Sequence, residues 1–492
     1  MSSPDERTPK FRENEASLEK AGTSTQLVES ATPVSPWLPL ALASALFMEL
    51  LDTAALGTAL PTLAREFHAD PLHLKLALTA YLMTMAVFVP CSGWLADRYG
   101  ARRVFINAMK VYLLGSVCCG LSSSVPELVA SRVLQGLGGA MMTPVARLIV
   151  VASTPRERLV KALNAFTFPA VIGPLLGPPL AGLLLHYASW RWIFFINLPV
   201  GLLGIYLVLR LVPRLRHPHP GRFDGVGFVL AGVAIIAFVV VAEMLGSGLV
   251  SAGIRTATAA LGLFAFTGYI IHARRVDNPM LDLQLLSIST YRASLLGSTA
   301  MRFGIGATPF LMALLLQTGL GWTPLKSGMV MMSIIAGSLL ARVAGTAGVK
   351  RLGFRALLVA TGLASAIMTV LPMLFRTDTP LVIIVIALGM LGFMRATHFV
   401  AASALTFAEV KPEQVSRAST LATVIQQLGL SMGISVAGLA LSWGAGARTD
   451  TAPYSPENFA LPFIVLALVG LLTVPVYATL QRDAAAHMRY GN

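Results

Sequence analysis

The chain has 492 residues, of which 55% are hydrophobic and only 12% charged. A soluble protein carries about twice that charged fraction, so a soluble fold is excluded. The net charge of +14 would suggest nucleic acid in a soluble protein, but here most Lys and Arg fall in short loops between apolar runs, where they set membrane orientation.

Residues 1–35 are polar and mixed in sign, and read as a disordered tail. About fourteen runs of bilayer length follow. The first half gives Trp37–Leu60, His73–Leu95, Val104–Leu121, Pro126–Val150, Leu159–Tyr187 and Trp192–Val212. A pair, Val226–Leu245 and Ala252–His272, carries few polar groups and reads as peripheral. The second half gives Ala293–Gln317, Ser327–Ala347, Phe354–Leu374, Leu381–Thr406, Ala418–Trp443 and Ala460–Leu480. The expected organisation is therefore a tail (1–35), a six-helix bundle (36–213), a two-helix insertion with linkers (214–290), a second bundle (291–481) and a short tail (482–492). Basic residues cluster in alternate loops, at Arg98/Arg102/Arg103, Arg156/Arg158, Arg214/Arg216/Arg222, Arg274/Arg275 and Lys350/Arg351/Arg355. Both termini are accordingly expected in the cytoplasm.

Two carboxylates lie inside the first run. Ionisable groups are costly in a bilayer and mark ion or substrate paths. Glu49 and Asp52 are three apart and share a helix face. With a rise of about 1.5 Å per residue, Glu49 lies roughly 18 Å and Asp52 roughly 22 Å from Trp37. Glu49 and Asp52 are both candidate proton- or substrate-binding acids, with either one open as the proton carrier; the plainer reading of Glu49 is a neutral acid bonded to a nearby hydroxyl or amide. Arg132, roughly 8 Å into the fourth run by the same rise, matches Asp52 in depth. Snorkelling to the headgroups is the plainer account of Arg132. Arg302, at the depth of Glu49, is the candidate partner of that acid from the second half. Gln135, Gln426 and Gln427 are candidate cavity-lining residues, and Arg395 and His398 read as polar or snorkelling groups.

The basic turn Gly93–Arg103 has a weak echo at Val349–Arg355, between the second and third runs of the latter half. Such a repeat suggests two related six-span halves. Residues Gly93 to Arg102 carry G-x-L-x-D-R-x-G-x-R without a gap, and Arg132 to Ala140 carry R-x-x-Q-G-x-G-x-A. Gly173 to Gly182 follow G-x-x-x-G-P-x-x-G-G, with Ala181 in place of one glycine. Leu51-Asp52 through Leu60-Pro61 follow L-D-x-T-x-x-N-x-A-L-P, with Ala54 and Gly57 where threonine and asparagine are usual. On these motifs the chain resembles the major facilitator superfamily, in particular its fourteen-span drug:proton antiporters.

The resemblance implies an all-α membrane protein, two six-helix bundles around a central cavity with two extra helices between them; the first and fourth spans are then neighbours, and Arg132 is expected to meet Asp52 as an ion pair or through a shared water. It implies a gate formed by Gly93, Asp97, Arg98, Gly100 and Arg102, in which Asp97 meets the N-terminal end of the span starting near Arg417. Gly93 would let two helices approach and Gly100 would permit a tight turn. Gly173, Gly177, Pro178 and Gly182 would form a stiff bend at a helix interface associated with antiport. The expected function is proton-coupled export of lipophilic or cationic drugs by alternating access. A transporter of a metabolite, siderophore or lipid, and a non-transporting membrane sensor or scaffold, are the alternatives. No phosphate-binding G-x-x-x-x-G-K-[ST] loop, H-E-x-x-H motif or nucleophile elbow occurs, so an ion gradient rather than ATP is the expected driving force and an enzyme is not expected. Cys91, Cys118 and Cys119 lack metal-ligand spacing, and neither metal nor other cofactor is expected. The expected partners are a small-molecule substrate and the lipid bilayer, without nucleic acid, for a monomer in the plasma membrane, the inner membrane of a bacterium.

Overall fold

A computed structural model describes residues 35, 37–212, 223–247, 250–446 and 452–481. The two expected tails, apart from Ser35, lie outside the described residues, as do the loop arginines Arg214, Arg216 and Arg222. Among the described residues the regular structure is all helical. Lipid offers no hydrogen bonds, so each crossing segment must satisfy its own backbone, and a helix does so locally.

Among the described residues, fourteen helices are long and apolar enough to cross a membrane. The first six are α1 (Leu38–Glu66), α2 (Pro71–Phe88), α3 (Ala101–Leu121), α4 (Val125–Ser153), α5 (Lys161–Tyr187) and α6 (Trp192–Leu211). The intervening pair is α7 (Gly225–Leu245) and α8 (Ala252–Ala273). The last six are α9 (Ser289–Gly319), α10 (Pro324–Ala341), α11 (Ala347–Leu374), α12 (Leu381–Phe407), α13 (Val415–Gly446) and α14 (Pro456–Ala478). Loops after odd-numbered spans share one end of the bundle, here the odd-loop end. Loops after even-numbered spans share the other.

Local chemistry sets several boundaries. Asp70 caps α2 by accepting from the Leu72 N–H at 2.7 Å, and Pro71 follows it in the first turn. Ser124 caps α4 and Thr323 caps α10 in the same way, each with a proline in the first turn. These caps satisfy N–H groups that have no partner within the helix. The apolar run ends α1 at Leu60, but the helix continues through Pro61 to Glu66.

In the first bundle α1 packs on α4, α5 and α6, while α4 packs on α2 and α3. In the second, α9 packs on α12 and α13, and α11 on α12 and α14. The bundles meet along α2–α13, α5–α10 and α1–α9. The repeat seen in the sequence has a backbone counterpart. Gly100 (φ 89°) separates the short helix Cys91–Tyr99 from α3, and Gly353 (φ 77°) breaks the helical stretch Pro324–Val370. Both φ values are ones that a side chain strongly disfavours.

The insertion departs from the expected peripheral pair. Helix α8 is largely exposed, but α7 packs against both α2 and α13. Asp224, just before α7, accepts from the Gly227 N–H at 2.8 Å, the Met280 N–H at 3.1 Å and the His272 ring at 2.7 Å. Burial alone would raise the Asp224 pKa, but these hydrogen bonds outweigh it and hold the carboxyl below its ordinary range.

Candidate functional site: an acid network between the first helices

Asp52 is completely buried, and four helices converge on it. The Arg132 Nη1 of α4 donates to one Asp52 oxygen and, at 2.6 Å, to Gln135 Oε1. Gln135 Nε2 and Asn197 Nδ2, the latter from α6, reach the other Asp52 oxygen at 3.3 Å each. Both amides also donate to Ser116 Oγ of α3, at 2.9 and 3.0 Å. Arg132 Nε donates to the Ala77 carbonyl at 3.2 Å, and its guanidinium lies 4.2 Å from the centroid of the Tyr81 ring on α2. The carboxylate is thus neutralised and its acceptors are occupied, so charge burial is compensated. Matching depth, with the first and fourth spans neighbours as the resemblance implied, placed Arg132 beside Asp52, and the two are in contact. Gln135, expected to line a cavity, is fully buried inside this network instead, because its amide bridges Arg132, Asp52 and Ser116.

Glu49 lies one turn away on the same face of α1, and its partner is also on α4. Thr143 Oγ1 donates to Glu49 Oε2 at 2.6 Å. No cation pairs with Glu49 among the described residues, and the residue is only 7% exposed. The expectation that Arg302 pairs with it is corrected here. The Arg302 guanidinium lies 5.2 Å from the Phe399 ring centroid instead. Equal depth on two helices does not fix which way their side chains point.

The gate motif occupies the helix Cys91–Tyr99 and the start of α3. Asp97 is half-buried there and Arg98 is exposed. Gly100 supplies the tight turn, and Arg102 Nη2 donates to the Leu209 carbonyl of α6 at 2.5 Å. Gly93 does not serve a close helix approach: a methyl group built there meets nothing within 4 Å. Arg417, at the start of α13, donates to Asn278 Oδ1 at 2.6 Å and faces Asp282 at 3.7 Å.

The expected antiporter bend is a close-packed surface. The helix Pro169–Tyr187 runs unbroken through Pro174, Pro178 and Pro179, and Phe168 just before it keeps helical dihedrals (φ −58°, ψ −47°). A methyl at Gly173 would come within 3.0 Å of the Phe47 carbonyl oxygen, and one at Gly177 within 2.7 Å of Ala54 Cβ, both on α1. One at Gly182 would meet the Pro324 carbonyl of α10 at 2.7 Å. The Pro178 carbonyl abuts Gly328 on α10. This motif therefore joins the two bundles near the odd-loop end. Two further contacts lie there: Gln317 Nε2 donates to the Thr58 carbonyl at 2.8 Å, and Tyr454 donates to Asp70. Burial, followed by the bond to Asp70, holds the Tyr454 phenol well above its ordinary pKa.

In the second bundle Gln426 and Gln427 are half-buried on α13, with Gln427 Nε2 at 3.5 Å from Met85 Sδ of α2. Arg395 does not snorkel. It is buried near mid-span and donates to Thr308 at 2.7 Å and Thr369 at 3.1 Å. His398 is buried beside Thr361, 3.1 Å away.

Two features escaped the sequence reading. Asn197 and Ser116 complete the Asp52 shell; they are ordinary polar residues whose role depends on which faces meet. Lys75 of α2 pairs with Glu243 of α7 at 2.5 Å, and Ser435 of α13 donates to the same carboxylate at 2.6 Å. A signal for Glu243 was present, since it is an acid within an otherwise apolar run.

Among the described residues, fourteen apolar helices, two six-helix bundles and an intervening pair, with a neutralised acid network at mid-depth, define a polytopic membrane transporter. The sequence profile of the Major Facilitator Superfamily matches residues 42–291. MdtD of Escherichia fergusonii, a protein named for multidrug resistance, is 36% identical over 452 residues, covering 91% of this chain and 95% of its own. MdtD of Escherichia coli O157:H7 matches to the same extent. Solved structures share the fold. A bacterial homologue of the human lysosomal transporter Spinster, inward-facing and unoccupied, superposes with a TM-score of 0.67 at 15% identity over 93% of this chain and 98% of its own. The peptide transporter POT gives 0.66 at 16% identity over 93% and 97%. The chain belongs to the Major Facilitator Superfamily.

Proposed function

We propose that this protein exports lipophilic compounds in exchange for protons by alternating access, with Glu49 as the proton carrier. The observation that carries this reading is the contrast between the two acids of α1. Asp52 is tied to Arg132, Gln135 and Asn197, so protonating it would leave a buried guanidinium uncompensated. Glu49 has one neutral partner, Thr143, and can gain or lose a proton without breaking an ion pair. Kinship to proteins named for multidrug resistance supports a lipophilic cargo.

Orientation follows from the basic loops, which gather at the even-loop end and put both termini in the cytoplasm of a cell with this protein in its inner membrane. The contacts of α5 with α10 and of Tyr454 with Asp70 then close the outer side, as in an inward-facing state. Gly173, Gly177, Pro178 and Gly182 seal the seam during exchange. Asp97, with Gly100, Arg98 and Arg102, latches the cytoplasmic side when the outer side opens. Arg132 and Gln135 hold Asp52, and Gln426 and Gln427 face the opposing wall. The chain works by transport rather than catalysis, and the proton gradient supplies the energy.

The test is dye transport in proteoliposomes under an imposed pH gradient. Glu49→Gln should keep a wild-type melting profile and lose at least about tenfold in gradient-driven rate, equivalent to about 1.4 kcal/mol or more. A Glu49→Gln protein that transports at the wild-type rate with unchanged pH dependence would overturn the proposal.

A further inference from the structure

Helices α9 to α13 contain no Asp or Glu, and the one acid of α14, Glu457, sits at the beginning of that span. The same helices hold two arginines near mid-depth. Arg395 is accommodated by the hydroxyls of Thr308 and Thr369. Arg302 has no comparable arrangement. It makes no hydrogen bond or ion pair with a described residue, its Nε is buried without a partner, and its guanidinium rests against the Phe399 ring. A guanidinium carries five N–H donors, and leaving them unanswered at membrane depth is costly.

The position of Arg302 is as informative as its lack of partners. Pro309, seven residues on, shares its helix face. Pro309 abuts Gly57 of α1, where an added methyl would lie 2.9 Å from Pro309 Cβ. Arg302 thus lies about two helical turns from that seam, with its Cβ toward Gly429 of α13. It is half-buried, so part of it is reachable. Phe399 beside it is 46% exposed and offers an apolar surface. A planar fork of donors next to an aromatic face fits a carboxylate attached to an apolar body, because guanidinium binds carboxylate through two parallel hydrogen bonds.

We infer that Arg302 and Phe399 form a subsite for the carboxylate end of a lipophilic substrate. The inference rests on the transport reading above and names a chemical feature of its cargo. Its rival is internal: Glu49 crossing the seam to pair with Arg302 in another state of the cycle.

The experiment uses three amphiphiles with one apolar body and different heads: carboxylate, carboxamide and trimethylammonium. Binding to the purified full-length protein is measured by calorimetry, and cargo-driven proton flux is measured in proteoliposomes. The wild type should bind the carboxylate at least about tenfold more tightly than the amide, a ratio that corresponds to about 1.4 kcal/mol. Arg302→Gln should erase that preference, and Arg302→Lys, with charge but no fork, should keep part of it. Equal binding of all three heads by the wild type would overturn the inference without needing any variant. So would an Arg302→Gln protein that loses affinity for all three heads alike, the outcome expected of pairing with Glu49. A carboxylate preference that depends on Arg302 but drives no proton flux would support the subsite and count against proton-coupled export.

Discussion

The two bundles handle charge inside the membrane in opposite ways. The first holds Asp52 and Glu49 on one helix face and neutralises the deeper-set Asp52 with Arg132. The second holds Arg302 and Arg395 with no acid nearby in its spans and answers Arg395 with neutral hydroxyls. An ion pair is stiff, because removing either partner strands the other. A cation held by hydroxyls can be removed without leaving an opposite charge behind. The first bundle thus contains a fixed strut beside an acid with one neutral partner, while the second holds a half-buried cation that no acid of its own spans answers.

The sharpest way to break this contrast is to remove the arginines one at a time. Arg132→Ala should strand Asp52 and destabilise the protein by about 3–5 kcal/mol, read as a large fall in melting temperature in detergent. Arg395→Met should cost less, about 1–3 kcal/mol, since only hydroxyls lose a partner. Equal losses from the two would erase the distinction between the bundles. The pair Lys75–Glu243 is a second strut, placed between α2 and α7. Either Lys75→Met or Glu243→Gln should cost about 1.5–3 kcal/mol, and the double variant should cost less than the sum in a thermal double-mutant cycle. Strict additivity would mean that the contact contributes nothing.

Backbone symmetry gives a smaller effect. Gly100→Ala and Gly353→Ala should each cost about 1–2 kcal/mol, because both require a positive φ that alanine disfavours. A melting curve unchanged by Gly353→Ala would show that the two turns are not equivalent. The smallest effect belongs to Asp224. Its carboxyl is held below its ordinary range, so it contributes stability above the ordinary carboxylate pKa and loses it as pH falls through the lowered folded value. Asp224→Asn should therefore melt earlier than wild type at neutral pH, and the gap should close on acidification. A gap that persists in acid would point to lost packing rather than lost charge.

The site was legible in depth but not in direction. The rise along a helix put Asp52 level with Arg132 and Glu49 level with Arg302. Only the first pair is in contact. The neighbour of Glu49 is Thr143, a residue with no charge to draw attention in the sequence. Gly93 shows the same limit, since a glycine in a motif was read as a close approach and a methyl there has open space. Gly177 and Gly182 were read in the same way, and the helices do meet at them.

The sequence by itself determined the number of membrane spans, their all-helical form, the two-bundle plan and the family. Those properties depend on run length, composition and local turn chemistry, all of which are written along the chain. Only the tertiary structure decided which acid meets an arginine and which a threonine, and that α7 is stapled to α2 by Lys75 and Glu243, 168 residues apart. Such choices depend on the rotation of each helix about its axis and on what faces it. That rotation is set by packing between distant segments, which no local pattern encodes.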